Sequence, residues 1–164
     1  MAEAAKLYDE DFYQWTRNQA DALRRLAGER WNGPLDLEHL AEEVEDLGKS
    51  QLLTVRSQVE RVLEHLLKLE YSPAADPRRG WLLSVLNARG HIRDHMTAAI
   101  RNEIEPAITA VYARARRRTM VSLKEHGELD LADLLPKQCP YTFAQVLDED
   151  WFPANQHGLV DRFT

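Results

Sequence analysis

LLTVRSQVERVLEHLLKL, residues 52–69, sets the architecture. Leu52, Val55, Val59, Val62, Leu66 and Leu69 follow one another in steps of three and four, the spacing of one apolar seam on an α-helix in a bundle or coiled coil. Leu63 and Leu67 widen that seam on one side, as a globular bundle helix needs. Leu66, at its centre, is expected among the most buried residues.

Working outward, the same periodicity recurs. On the N-terminal side, Asp36 reads as an N-cap, with Leu35 and Leu40 placed to pack as a hydrophobic staple. Leu37, Leu40, Ala41, Val44 and Leu47 then form an apolar stripe up to Gly48, which either ends that helix or bends it. Further upstream, Asp9 is an N-cap candidate, Phe12, Trp15, Gln19, Leu23 and Leu26 share a face, and Gly28 is a stop. On the C-terminal side, SPAADPRRG (72–80) is a loop, and WLLSVLNARGHIRDHMTAAI (81–100) reads as a helix despite Gly90. Pro106 suits the first turn of a following helix, whose buried face is Ile108, Val111, Tyr112, Ala115 and Thr119 and whose cap is Gly127. LPKQCPYTFAQVLDEDWFP (135–153) holds one short helix opened by Thr142. No alternating strand pattern occurs. The expectation is an all-α fold, a single-domain helical bundle over residues 1–164 of about five helices with a short C-terminal helix.

Composition narrows the setting. A chain of 164 residues can bury a core without staples, and a formal net charge of −6 argues against a general nucleic-acid binder. The single cysteine, Cys139, excludes an internal disulfide and fits a reducing compartment. The N-terminal MAEAAKLYDEDFYQW lacks the apolar run of a signal peptide, and no stretch approaches the roughly 18 apolar residues of a membrane span. A cytoplasmic protein of bacterial style, away from membranes, is expected.

Charge is unevenly spread. Residues 36–48 carry Asp36, Glu38, Glu42, Glu43, Glu45 and Asp46 and no Lys or Arg. Residues 101–124 carry Arg101, Arg114, Arg116, Arg117, Arg118 and Lys124 against Glu103 and Glu105, and the tail turns acidic at Asp148, Glu149 and Asp150. Such asymmetry invites contact between oppositely charged elements, within a chain or between two.

Each chemical motif has a plain counterpart. Glu38, Glu42 and Glu45 share a helix face with His39 and Asp46 beside it, but a carboxylate-bundle metal site projects Glu-x-x-His inward, whereas these acids face away from the leucines. His91 and His95 in HIRDH have zincin ligand spacing, yet Ile92 stands where the water-activating glutamate belongs. His65, at the edge of the seam, reads as a histidine hydrogen-bonded beside the core. Cys139 has no partner in sequence to lower its pKa and reads as a small buried hydrophobe. Arg114, Arg116, Arg117 and Arg118 fan around one helix rather than lining a groove, and their place in its second half complements the helix dipole.

Four segments in this order, DFYQWTRNQADALR (11–24), LDLEHLAEEVEDLGKSQ (35–51), LEHLLKLEYSP (63–73) and CPYTFAQVLDEDWFP (139–153), resemble the bacterial domain-of-unknown-function family twenty-nine over residues 8–153. The second segment and the closing CPY…DEDWFP are its specific parts. The resemblance implies a small, mostly helical bacterial protein without an assigned activity, and it supplies no catalytic residue. His91 and His95 depart from the family's pattern, in which basic or aliphatic residues are expected there.

The function expected is a non-catalytic protein-interaction module, acting on a protein partner or as a homo-oligomer. Its charged faces are Glu38, Glu42 and Glu45 on one side and Arg114, Arg117 and Arg118 on the other. No cofactor is expected. The alternatives are a metal-dependent or acid–base enzyme using His65, His91, His95, Glu42 or Glu43, and nucleic-acid binding by the arginine helix.

Overall fold

The computed structural model describes residues 2–161, among which every regular element is a helix. In chain order these are α1 (Ala2–Glu10), α2 (Phe12–Gly28), α3 (Leu37–Tyr71), α4 (Arg78–His95), α5 (Ala98–Ile104), α6 (Ile108–Glu125), α7 (Leu129–Ala132) and α8 (Phe143–Leu147). The all-α expectation holds, with short α1, α5 and α7 added to the longer elements read from periodicity. The chain forms two compact units. One comprises the residues up to Val55 with His95–Glu103, the other Arg56–Asp94 with the residues from Ile104 onward. Helix α3 contributes its first half to the former and its second half to the latter.

In the first unit Gly48 does not end a helix, because α3 runs through it for 35 residues. Gly48 is instead a point of close approach: a Cβ there would lie 2.0 Å from Thr16 Oγ1 on α2. Small buried residues dominate this packing, with Thr16, Ala20 and Ala41 all 0% exposed. That contact rotates α3 relative to the expected stripe. Leu37 and Ala41 are buried, whereas Leu40 and Leu47 turn outward, 40% and 58% exposed. Leu35 is exposed too, so the staple is not a buried contact, although Asp36 caps α3 by accepting from His39 N at 3.3 Å. The fully buried face of α2 is Tyr13, Thr16 and Ala20 rather than Phe12, Trp15, Gln19, Leu23 and Leu26. Phe12 and Trp15 instead meet Tyr8 of α1, with ring centroids 5.4 and 4.9 Å from it.

The N-cap of α2 is Asp11, not Asp9, which continues α1. Asp11 Oδ1 accepts from Gln14 N at 3.0 Å and its Oδ2 from Ala99 N at 2.9 Å. One carboxylate therefore satisfies orphan amides at the starts of α2 and α5. Thr97 also accepts from Ile100 N at 3.2 Å, and the helix expected over 81–100 breaks at Met96–Thr97.

In the second unit the seam holds from Val59 to Leu69, with Val59, Val62, Leu63, Leu66 and Leu67 0% exposed; at its start, in the first unit, Val55 is buried and Leu52 only half-buried. Val85, Ala88 and Ile92 of α4, Val111, Tyr112 and Ala115 of α6 and Val146 of α8 complete the core of the second unit. Pro106 lies in the turn before α6, which starts at Ile108, and Gly127 past its end has φ +80°, a conformation that favours glycine. The last carbonyls of α3 are satisfied from afar. Leu69 O accepts from Arg78 Nη1 (2.7 Å) and Asn155 Nδ2 (2.8 Å), Ser72 O from Asn155 Nδ2 (2.9 Å), and Glu70 O from Gln156 N (2.8 Å). Arg78 is held in turn by a buried two-point pair with Asp161, at 2.8 and 2.7 Å.

Candidate functional site

The acidic half-helix lies on the first half of α3. Glu45 Oε2 accepts from Arg24 Nη2 of α2 at 3.0 Å and from Lys49 Nζ at 3.2 Å, and these two partners, Arg24 first, hold its carboxyl below the usual range. Asp36 Oδ2 lies 2.6 Å from His39 Nδ1, which raises the imidazole pKa and lowers that of the carboxyl. Glu38, Glu42 and Glu43 are exposed, and none forms an ion pair or hydrogen bond among the described residues. Glu45 is thus partly consumed inside its own unit, as are Asp36 through His39 and Asp46 through Lys49 at 3.7 Å, whereas Glu38, Glu42 and Glu43 are not.

The histidine motifs resolve separately. His91 and His95 are both exposed on α4, and no group of three His, Cys, Asp or Glu side chains among the described residues is gathered as a metal ion requires. His65 is half-buried with Nδ1 donating to Arg61 O at 2.8 Å, and burial lowers its pKa. Cys139 is half-buried, its Sγ 3.4 Å from Tyr141 O, and burial pushes the thiol up, away from nucleophile chemistry.

The arginines of α6 divide. Arg116 donates to Leu135 O at 3.2 and 3.3 Å, complementing the chain beyond α7. Arg118 Nε lies 3.2 Å from Glu60 Oε1. Arg114 and Arg117 are exposed and engage no acid among the described residues.

Sequence reading missed the polar partner of the leucine seam. Glu60, Glu64 and Lys68 of α3 and Ser72 just past its end stand four residues apart, and Thr119 Oγ1 of α6 lies 3.4 Å from Glu64 O, so α6 runs beside this row. A groove of about 620 Å³ opens between them, lined by Glu60, Glu64, Arg114, Arg117, Arg118 and Glu125 among others. The signal was present as a polar residue at every fourth position, but solvent-facing rows share that spacing.

The closing CPYTFAQVLDEDWFP has a structural account. Thr142 opens α8 with a capping box, its side chain accepting from Gln145 N while Gln145 accepts from Thr142 N. Arg89 of α4 is 1% exposed and donates to Val146 O (2.9 Å), Trp151 O (2.8 Å) and Gln145 O (3.0 Å). Its guanidinium lies 5.0 Å from the Phe152 ring centroid. Burial lowers its pKa to about 10, so it stays charged at neutral pH against the carbonyl end of α8. The segment is a receptacle for a buried arginine.

Comparison with known proteins agrees with the helical fold. The sequence profile of the domain of unknown function DUF29 matches residues 7–152. A crystal structure of an alpha-helical protein of unknown function from Rhodospirillum rubrum superposes with a TM-score of 0.77 at 32% identity, covering 87% of this chain and 90% of that one. No curated protein matches the chain.

Proposed function

Because this chain belongs to the domain of unknown function family DUF29, whose description assigns no reaction, we propose from its surface that it is a non-catalytic protein-docking module. The docking reading rests on charged helix faces, and the first half of α3 carries it.

There Glu38, Glu42 and Glu43 are exposed and form no ion pair or hydrogen bond within the described residues, while Leu40 and Leu47, 40% and 58% exposed, lie on the flank of the helix away from Glu38 and Glu42. Local helix physics does not account for those acids. Glu38 and Glu42 are four apart, as are Glu42 and Asp46, and like charges at that spacing destabilise a helix by about 0.2–0.5 kcal/mol per pair. Only Glu38, in the first turn, recovers some of this from the helix dipole. An exposed acidic face of this kind suits a partner surface that is basic. Glu45, tied to Arg24 and Lys49, serves the fold more than the partner. Arg114 and Arg117 are the second charged set in this reading.

The test compares capture from cell extract by the wild type and by E38Q/E42Q. The expected result is an unchanged melting temperature and loss of the same captured proteins that high salt removes. Equal capture by both forms would reduce the face to solvated surface.

A further inference from the structure

The row Glu60, Glu64, Lys68, Ser72 is buried to an extent unusual for its chemistry. The Glu60, Glu64 and Lys68 side chains are 7%, 17% and 10% exposed, and Ser72 is 0% exposed. Charged groups so placed are normally hydrogen-bonded. Lys68 Nζ donates to Glu64 Oε1 at 2.9 Å and Ser72 Oγ to Glu128 Oε1 at 2.9 Å. Glu60 is the exception. Arg118 Nε stands 3.2 Å from its Oε1, yet no N–H is aimed at that oxygen, which is shut off from solvent and accepts no hydrogen bond. Arg118 is itself 66% exposed, so the pair is screened and compensates the buried charge only weakly.

Glu60 lines the α3–α6 groove of about 620 Å³, within the size range of small-ligand sites. Arg114 and Arg117, one turn apart on α6, line it as well and pair with no acid among the described residues. The Glu60 carboxylate, with one enclosed oxygen that lacks a donor, and two guanidinia lacking an anion therefore line one groove, and a ligand cation reaches that oxygen only where Arg118 swings aside. A purely anionic ligand would also meet Glu60, Glu64 and Glu125, and a purely cationic one would meet the three arginines.

We propose that this groove binds a small dipolar molecule, which presents an ammonium or guanidinium to Glu60 and a carboxylate to Arg114 and Arg117. The site belongs to the second unit and does not rest on the docking role of the acidic face, which lies in the first.

The experiment titrates ¹⁵N-labelled protein with ω-amino acids of four to eight carbons, with hexylamine and hexanoate as single-charge controls. One chain length should shift the amides around Glu60, Arg117 and Ser122 saturably. The controls should bind about tenfold more weakly or worse, since each forfeits one charge-assisted contact. Glu60→Gln should raise the melting temperature, because the unmet buried charge is gone, and should abolish binding of the best probe. R114Q/R117Q should weaken that probe without changing the fold. Absence of a saturable shift from every ω-amino acid overturns the proposal. So does a Glu60→Gln protein that melts lower, which would make Glu60 a structural partner of Arg118.

Discussion

Thr16 on α2 stands so close to Gly48 on α3 that a methyl group added to the glycine would lie 2.0 Å from the threonine Oγ1. The hydroxyl is fixed there, donating to Tyr13 O at 2.7 Å within its own helix. Two helices meet at this point through the smallest side chain available.

Gly48→Ala is therefore expected to destabilise the protein by about 1–3 kcal/mol, the range for overpacking, despite the better helix propensity of alanine. The double change with Thr16→Ala should recover part of the loss. Gly90, in the middle of α4, provides the contrast, since its added Cβ would meet only Arg93 Nη2 at 3.8 Å. Gly90→Ala should stabilise by about 0.5–1 kcal/mol. Urea unfolding of these three variants beside the wild type checks all of these.

Leu66 is 0% exposed at the centre of the seam. Leu66→Ala should cost about 2–5 kcal/mol in the same measurement, the sum of lost transfer energy and a cavity. A loss below about 0.5 kcal/mol would contradict the core assignment.

Arg89 fills three carbonyls at once. Hydrogen bonds to a charged group contribute about 1.5–3 kcal/mol each, and the abandoned carbonyls would be buried, so Arg89→Met should cost at least about 3 kcal/mol. Arg89→Lys should restore little, because an ammonium cannot reproduce the planar fork. Hydrogen exchange should quicken first at residues 143–152.

Two histidines should titrate on opposite sides of the ordinary imidazole value. Asp36 raises the pKa of His39, whereas burial lowers that of His65. A raised folded value means that the His39–Asp36 contact supports the fold below the unfolded imidazole pKa of about 6.5 and fades as pH climbs through the folded value. A lowered value has the reverse sign: the contribution of neutral His65 is present above about 6.5 and is lost as pH falls through its folded value. Ring-proton NMR titration reads both. Asp36→Asn should move His39 most of the way toward the ordinary value, with Glu42 and Glu38 still raising it, and leave His65 unmoved.

Glu42 and Glu45 should respond differently to the same change. Glu42→Gln removes like-charge neighbours and should leave stability level or raise it by about 0.2–0.5 kcal/mol. Glu45→Gln breaks the contacts to Arg24 and Lys49 and should lower stability by less than about 1 kcal/mol, with the difference shrinking in high salt.

How far the sequence reached depends on the residue. Val59, Val62, Leu63, Leu66 and Leu67 were legible as core because a run of large apolar groups at three- and four-residue steps has no other low-energy disposition. Asp36 and Thr142 were legible as caps because capping is local chemistry within one turn. The α3 stripe before Gly48 was misread in part, since Leu40 and Leu47 fit the period but face outward. Glu60 was illegible, because nothing local tells a buried glutamate from a solvated one at the same spacing.

Periodicity by itself determined that this chain is all-helical and where its longest apolar seam runs, because those properties arise from contacts between residues three and four apart. Rotation of each helix about its axis belonged to the tertiary structure. A 3.6-residue period marks a stripe on the order of 100° wide, and the close approach of Gly48 to Thr16 chose which edge of that stripe is buried. The same holds for Asp11 reaching Ala99, 88 residues on, and for Arg89 reaching carbonyls 56 to 62 residues away. Such partners are set by the packing of distant helices, which no short stretch of sequence encodes.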